Sequence, residues 1–421
     1  MAETSPSTPG PAAPLWRHGD FMKLWVAQTI SVFGTGFTQL ALPLIAVTAL
    51  GATPAQMGFL GTAEFLPFLL LGLVAGVWVD RWPRRPVLIV GDVGRALALA
   101  TIPLAALAGV LGMPQLYVVG FLAGVLTVFF DVAYQAYLPA LVKRRQLVEG
   151  NSRLEASRSI AQVSSPGIAG VVIQIFSAPV AIVLDAISYL ASALLIGRIG
   201  QPEGRPDPSG RRLMVAEVRE GLGVVFGSRL LRSIAGCTGT SNFFSHVWGV
   251  LIILFAVREL SLTAATIGVV FSVGNVGALL GAFVAGRVGR RLGVGPTIIL
   301  TSLGAALGFA PLVFATPRTA VPLLIAGGLI SGFSNVVYNV TQVSLRQAIT
   351  PQRLQGRMNA TMRFVVWGTI PLGSLAGGVL GELLGLRPAI TVGVAGGLLA
   401  FVWVFFSPVR SLRRMPEPIE E

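Results

Sequence analysis

The stretch Gly72-Leu73-Val74-Ala75-Gly76-Val77-Trp78-Val79-Asp80-Arg81-Trp82-Pro83-Arg84-Arg85-Pro86 decides how the rest of the chain is read. An apolar run ends in an acid, and arginines crowd the residues that follow. Taken as a helix end, the run puts Asp80 at the C-terminus, where the helix dipole disfavours a negative charge. Asp80 therefore needs partners from elsewhere. Gly72 or Gly76 would let this helix approach a neighbour closely. Arg81, Arg84 and Arg85 would hold the loop on one side of a membrane.

The composition around this stretch requires that membrane. Of 421 residues, 53% are hydrophobic and 12% charged, about half the charged share of a soluble domain. Long apolar runs with so little polar cover mean a helical integral membrane protein. Counting excludes several activities. The only lysines are Lys23 and Lys143, and neither stands in a Walker A loop. One cysteine, Cys237, and two histidines make a metal centre improbable and an intrachain disulfide impossible. No polar segment is long enough for a soluble catalytic domain, so no enzyme, catalytic residue or cofactor is expected. The net charge of +13 reads as loop anchors meeting anionic lipid, not as a nucleic-acid surface.

Twelve apolar segments can be drawn, at 24–50, 54–79, 86–110, 114–140, 157–176, 178–198, 231–257, 262–286, 294–315, 320–346, 357–383 and 388–407. Placing both termini in the cytoplasm leaves only Arg258, Arg318 and Arg387, of 31 basic residues, on the outer side. Residues 1–22 read as a disordered cytoplasmic tail with no cleavable signal peptide. Residues 199–230 form a cytoplasmic linker. Within it Met214, Val218, Leu222 and Val225 fall on one face of an amphipathic helix. The linker separates two sets of six spans, 23–198 and 231–407, and 408–421 is a second cytoplasmic tail. The halves echo each other at an offset of about 205–208 residues. Arg84-Arg85 matches Arg290-Arg291, and Ser165-Pro166-Gly167-x-x-Gly170 matches Pro371-Leu372-Gly373. Duplicated halves are a recurring transporter plan.

The loop at 72–86 resembles the signature loop of the major facilitator superfamily, Gly-x-x-x-Asp-Arg-x-x-Arg-Arg, and the resemblance extends over residues 20–410. It implies an all-α integral membrane fold of twelve transmembrane helices in two pseudo-symmetric six-helix bundles, both termini cytoplasmic. It also implies that Gly76, Asp80, Arg81, Arg84 and Arg85 belong to a cytoplasmic gate, in which Asp80 meets the N-terminal end of the eleventh span. Asp92 and Arg95, spaced to pair on one helix face, read as part of that network. Asp92-Val93-Gly94-Arg95, Asp131-Val132-Ala133-Tyr134-Gln135 and Asp185-Ala186-Ile187-Ser188-Tyr189 are similar to the drug:proton antiporter branch of macrolide-efflux and enterobactin-exporter proteins. Ser165, Pro166, Gly167 and Gly170 resemble the antiporter motif of the fifth span, with Ser165 and Val171 standing where glycines are usual.

A charged residue inside a span is costly and asks for a reason. Glu64, in mid-span with no basic residue in reach on its own helix, is a candidate for proton exchange. Asp131 and His246 are further candidates, Asp131 with an alternative as a structural ion pair with Arg95 or a loop arginine. Asp185 reads as structural and Glu382 as part of the outer rim. The expected cavity takes Gln39, Asn242, Asn275, Asn335 and Asn339, joined by Phe33, Phe37, Phe65, Phe68 and Phe243. Such a lining, with no arginine deep in it, suits bulky lipophilic or amphipathic ligands. The expectation is therefore a secondary transporter of the bacterial inner membrane, exporting such molecules in the macrolide or multidrug manner. It would work by proton antiport and alternating access. Its expected partners are a lipophilic small molecule, protons and membrane lipids, and it is expected as a monomer. A siderophore or lysolipid transporter of the same fold is the alternative. A non-transporting receptor would be expected to carry a longer tail than Pro408 to Glu421.

Overall fold

The computed structural model describes residues 15–72, 74–79, 81–203 and 214–416, all helices and connecting turns. The first helix, α1 (Gly19–Leu44), starts where the His18 Nδ1 accepts from the Phe21 N–H, and ends in a π-helical turn, Ile45–Ala49. Thr53 and Gln56 form a reciprocal capping box that starts α2 (Pro54–Leu71), with Pro54 in the first turn where no N–H is needed. Then follow α3 (Val74–Val79), α4 (Arg84–Leu107), α5 (Met113–Leu141), α6 (Leu147–Ile175) and α7 (Ala178–Gly197). After the linker helix α8 (Met214–Gly227) come α9 (Arg229–Gly249), α10 (Ile252–Arg258), α11 (Ala264–Leu292), α12 (Val294–Leu307) and α13 (Ala320–Ala348). The chain closes with α14 (Gln352–Trp367), α15 (Thr369–Leu384), α16 (Leu386–Leu398) and α17 (Ala400–Phe405).

Among the described residues, ten helices are long and apolar enough to cross a membrane. The expected second and fifth spans fall outside that group. The described parts of the second are α2, which carries Gln56 and Glu64, and the short α3, with Leu73 between them outside the described residues. The fifth starts ten residues before the expected 157, at Leu147, and its early turns carry Glu149, Arg153, Glu155 and Arg158. These charges need not meet lipid. Glu149 pairs with Arg153 at 3.0 Å, and Glu155 and Arg158 face a central cavity. Asp80 of the gate motif lies outside the described residues, as does most of the polar linker before α8.

Burial is distributed as a membrane demands. Leu107 is 87% exposed and Phe283 76%, whereas Asp92 and Asp185 are fully buried. Apolar side chains face out to lipid and the charges turn in. With lipid as apolar as leucine, helices associate through close backbone packing at small residues. α1 packs on α6 and α7, α4 on α5 and α7, and α2 on α5. Later in the chain α11 and α12 pack on α13, and α9 packs on α15, α16 and α17. Gly277 of α11 lies so close to α13 that an added Cβ would stand 2.7 Å from the Leu329 Cα.

Two seams join these groups, α2 with α15 and α6 with α11. A Cβ on Gly58 would come within 2.6 Å of the Gly378 Cα, and one on Gly268 within 2.9 Å of the Gly170 Cα. Both contacts lie toward the side away from the termini. There the buried core is one cluster drawn from both groups, with Leu44, Met57, Ile102 and Ile182 joined to Leu254, Phe255, Ile267 and Ile390. On the terminal side it divides. One cluster holds Phe21, Leu88, Phe130 and Leu138, and a separate one holds Leu231, Ile298, Leu345 and Met358. The molecule is closed at one end and parted at the other.

Gly277→Val should drive a branched side chain into the α13 backbone and lower stability by about 1–3 kcal/mol. Gly223→Ala, whose added Cβ meets nothing within 4 Å, should leave the protein unchanged. The thermal midpoint of the detergent-solubilised protein, followed by tryptophan fluorescence, separates the two.

Candidate functional site

The gap between the two terminal-side cores holds a cavity of about 920 Å³. Its walls include Gln28 and Gln39 of α1, Asp131 and Tyr134 of α5, Arg158 of α6 and Asn275 of α11. A second lobe of about 530 Å³ lies against α9, α13 and α14 and shares Gln135, Ala360, Arg363 and Trp367 with the first. Of the residues expected in the cavity, Gln39, Phe68 and Asn275 line the larger lobe, and Asn242, Asn335 and Asn339 the smaller. Phe33, Phe37, Phe65 and Phe243 line neither. Phe37 packs on the far-side core, Phe65 lies edge-on to His246 at 5.7 Å, and Phe243 stacks edge-to-face on Phe244 at 5.1 Å.

One expectation is corrected outright. The cavity is not poor in fixed cations: Arg95, Arg158 and Arg363 all reach the larger lobe, and Arg346 the smaller. Arg158 and Arg363 fall near the starts of the spans drawn at 157–176 and 357–383, and the charge count places them with the basic residues of the inner side. They lie instead on helix turns that face the opening.

The most enclosed of these, Arg95, is 4% exposed. Its Nη2 donates to the Asp92 Oδ1 at 2.6 Å, and its Nε donates to the Gly91 carbonyl at 3.2 Å. The guanidinium lies between two aromatic faces, with its carbon 4.3 Å from the Phe130 ring centre and 4.2 Å from that of Tyr189. Such a sandwich satisfies a planar cation on both faces. The Tyr189 hydroxyl shares a hydrogen bond with the Thr35 Oγ1 at 2.8 Å. Asp185, beside it, accepts from the hydroxyls of Thr38 and Ser188, in space that the bare Gly34 leaves between α1 and α7. Asp131 shares the larger lobe with Arg95, Arg158 and Arg363, the cations that act on it electrostatically, and forms a direct ion pair with none of them.

The other proton candidates lie elsewhere. Glu64 lines neither lobe. It packs against α5 at Gly120 and Gly124 and makes no hydrogen bond or ion pair among the described residues. His246 sits where α9 meets α2 and α15, its Nδ1 2.9 Å from the Asn242 carbonyl. A carbonyl only accepts, so this contact is a hydrogen bond when Nδ1 carries a proton.

The gate residues are arranged within the first half of the chain. The Glu203 carboxylate accepts from the backbone N–H groups of Arg84 (2.7 Å) and Arg85 (3.1 Å), capping the N-terminus of α4. The Arg85 guanidinium donates to the last carbonyls of α7, at Ile196 and Gly197. Asp80, which the gate motif would bring to the eleventh span, lies outside the described residues, and on the terminal side the two groups of helices are parted. There Glu220 of α8 instead holds Arg357 of α14 at 2.5 Å. The close approach expected at Gly72 or Gly76 is also not found. A Cβ on Gly76 would meet nothing, and one on Gly72 only its own helix. The antiporter-type residues Ser165, Pro166, Gly167 and Gly170 lie along the α6–α11 seam. The Gly167 N–H donates to the Ser272 Oγ at 2.7 Å, and Ser165 fills the space over Gly36 of α1.

On the far rim, two charges from the later half meet helix ends of the earlier one. The Arg258 guanidinium donates to the carbonyls of Gly51 (3.0 Å) and Ala52 (2.8 Å), and the Glu382 Oε2 accepts from the Ala55 N–H at 3.0 Å. Cation on carbonyl and carboxylate on N–H both follow the dipole sense of the helix ends they meet, after α1 and at the start of α2. No cluster suited to a metal ion occurs among the described residues.

The Major Facilitator Superfamily profile matches residues 24–366 and 234–420. The multidrug efflux pump Tap of Mycolicibacterium fortuitum is 26% identical over 414 residues, covering 96% of this chain and 99% of its own. Macrolide efflux protein A of Streptococcus pyogenes is 21% identical, covering 94% and 97%. In three dimensions the chain resembles a bacterial homologue of the iron transporter ferroportin in its inward-facing state. The TM-score is 0.72 at 18% identity, over 93% of this chain and 99% of that one.

Arg95→Met should leave Asp92 buried without its counter-charge and cost about 3–5 kcal/mol, as breaking one side of a buried pair does. Arg95→Met combined with Asp92→Asn should recover part of that loss. Thermal unfolding of the three proteins in one detergent measures both steps.

Proposed function

The chain belongs to the major facilitator superfamily, and on that premise we propose that it exports bulky lipophilic or amphipathic small molecules by proton antiport and alternating access. It is a multi-pass transporter of the bacterial inner membrane rather than an enzyme. In this proposal twelve spans cross the membrane with both termini in the cytoplasm, and two moving halves at 23–198 and 231–407 are joined by the 199–230 linker. The observation that carries it is the cavity open between two cores on the terminal side and closed by glycine seams on the other. With the termini cytoplasmic, this is the inward-open state. Ligand enters from the cytosol, the terminal side closes, and the seams part to release it outward.

Efflux as the direction, and multidrug or macrolide cargo, are supported by the names of the two similar pumps. Aromatic side chains at the cavity, Phe68, Phe364 and Trp367, suit a ligand with a large apolar body. Proton coupling requires a group that binds the proton with different affinity in the two orientations. Glu64 is the first candidate, since it lacks an ion-pair partner and lies on α2, whose contacts to α15 must break when the molecule turns. Asp131 at the cavity wall and His246 between α2 and α15 are the others. The cavity arginines favour a second reading, an anionic cargo of the siderophore or lysolipid kind, on the same fold.

Inverted membrane vesicles carrying the protein, with a respiratory pH gradient, test the coupling. Adding macrolides, dyes, catecholate siderophores and lysolipids in turn should collapse the gradient for one class, against empty vesicles. Glu64→Gln should abolish the collapse. Collapse that survives in Glu64→Gln but not in Asp131→Asn or His246→Gln moves the proton site to that residue. Silence across the panel with inserted protein would overturn proton-coupled export.

A further inference from the structure

The smaller lobe of the cavity is lined differently from the larger. Asn335, Asn339, Gln342 and Arg346 follow one another on α13 at intervals of three or four residues, so they share one face of a membrane helix. At the rise of an α-helix this polar stripe is about 16 Å long. Opposite it α14 presents Asn359 and Arg363, and α9 presents Ser241 and Asn242. Among the described residues no aspartate or glutamate lines this lobe, whereas Asp131 and Glu155 line the larger one. Neither Arg346 nor Arg363 makes an ion pair among the described residues. Gln342 is 2% exposed, and its Oε1, like the Arg346 Nε, is buried without a hydrogen-bond partner.

Arg346 is half-buried and Arg363 is exposed to the opening, and the buried Arg346 Nε–H, left without an acceptor, is unfavourable in an empty site. A ligand that supplies negative charge and acceptor oxygens satisfies that N–H and the two guanidinium charges, whereas the Gln342 Oε1, itself an acceptor, needs a donor. Guanidinium groups are suited to planar oxyanions, which they can hold through paired N–H bonds. Amide side chains add further donors. We propose that the smaller lobe is a subsite for the anionic head of an amphipathic ligand, held by Arg346 and Arg363 with Asn339 and Asn359 beside them. The apolar body then lies in the larger lobe against Phe68, Phe364 and Trp367, the last of which, with Arg363, borders both lobes. This specifies the cargo of the exporter reading and rests on it.

The test is binding of dansyl-undecanoic acid and of its methyl ester to the full chain in phosphatidylcholine nanodiscs, followed by dansyl fluorescence. The acid should bind about tenfold more tightly than the ester, the scale of one charge-assisted contact. Arg346→Gln with Arg363→Gln should erase that preference and leave ester affinity unchanged, which also reports that the cavity is intact. Arg346→Lys, which keeps the charge, should retain most of it. Equal binding of acid and ester by the unaltered protein overturns the proposal without any variant. So does a preference that persists in the double variant, or one removed instead by Arg158→Gln in the larger lobe. Extrusion of a macrolide by cells, with no acid preference in nanodiscs, removes the subsite and keeps the exporter. Acid preference with no extrusion or gradient collapse for any ligand class supports the subsite and removes the exporter reading.

Discussion

Everything in this molecule depends on how closely two pairs of helices approach on the side away from the termini. In a bilayer nothing apolar is gained by hiding leucine from lipid, so helices hold together through backbone proximity. Gly58 against Gly378 and Gly170 against Gly268 provide that proximity, with no side chain between the paired α-carbons. Their consequence is the arrangement of the core. Where the seams are tight, one cluster runs through both groups of helices, and where they stop, two separate clusters face each other across a cavity.

The charges are placed around that geometry. Asp92 and Arg95 are buried as a pair, and the aromatic rings of Phe130 and Tyr189 complete the enclosure of the guanidinium. Arg95 is at once part of a packed junction between α4, α5 and α7 and part of the cavity wall. A change in what occupies the cavity is thus felt by a group that also holds helices together. The linker acts on the other side of the opening, where Glu220 of α8 grips Arg357 of α14, the helix that forms one wall of both lobes.

The membrane character and the family were open to sequence reading, because apolar runs of bilayer length and the loop at 72–86 are local properties. The segment ends were less so. The early turns of α6 line the cavity at Asn151, Leu154, Glu155 and Arg158, and no count of apolar residues distinguishes that from a loop. The same physics hid the cavity arginines. Arg158 and Arg363 sit at the ends of basic clusters, where a topological reading treats them as anchors, yet each lies on a helical turn facing the opening. A three- and four-residue spacing of polar side chains was the available signal, on α6 (Asn151, Glu155, Arg158, Gln162), on α13 and on α14. Phenylalanines were a poor guide, since Phe37, Phe65 and Phe243 are consumed in helix packing and Phe33 lines neither lobe. Asp80, on which the gate motif turns, falls outside the described residues.

The far rim has a consequence for the rate at which such a molecule can turn. Arg258 and Glu382 fasten the seams by gripping backbone groups between α1 and α2 and at the start of α2, not by gripping each other. When these bonds part, water can take over each half of the contact, and no charge is stranded in an apolar place. A carrier fastened by deeply buried ion pairs would rest in a well too deep to leave on every cycle. A clasp that solvent can replace keeps the two orientations close in free energy, and a bound molecule or a proton can then decide between them.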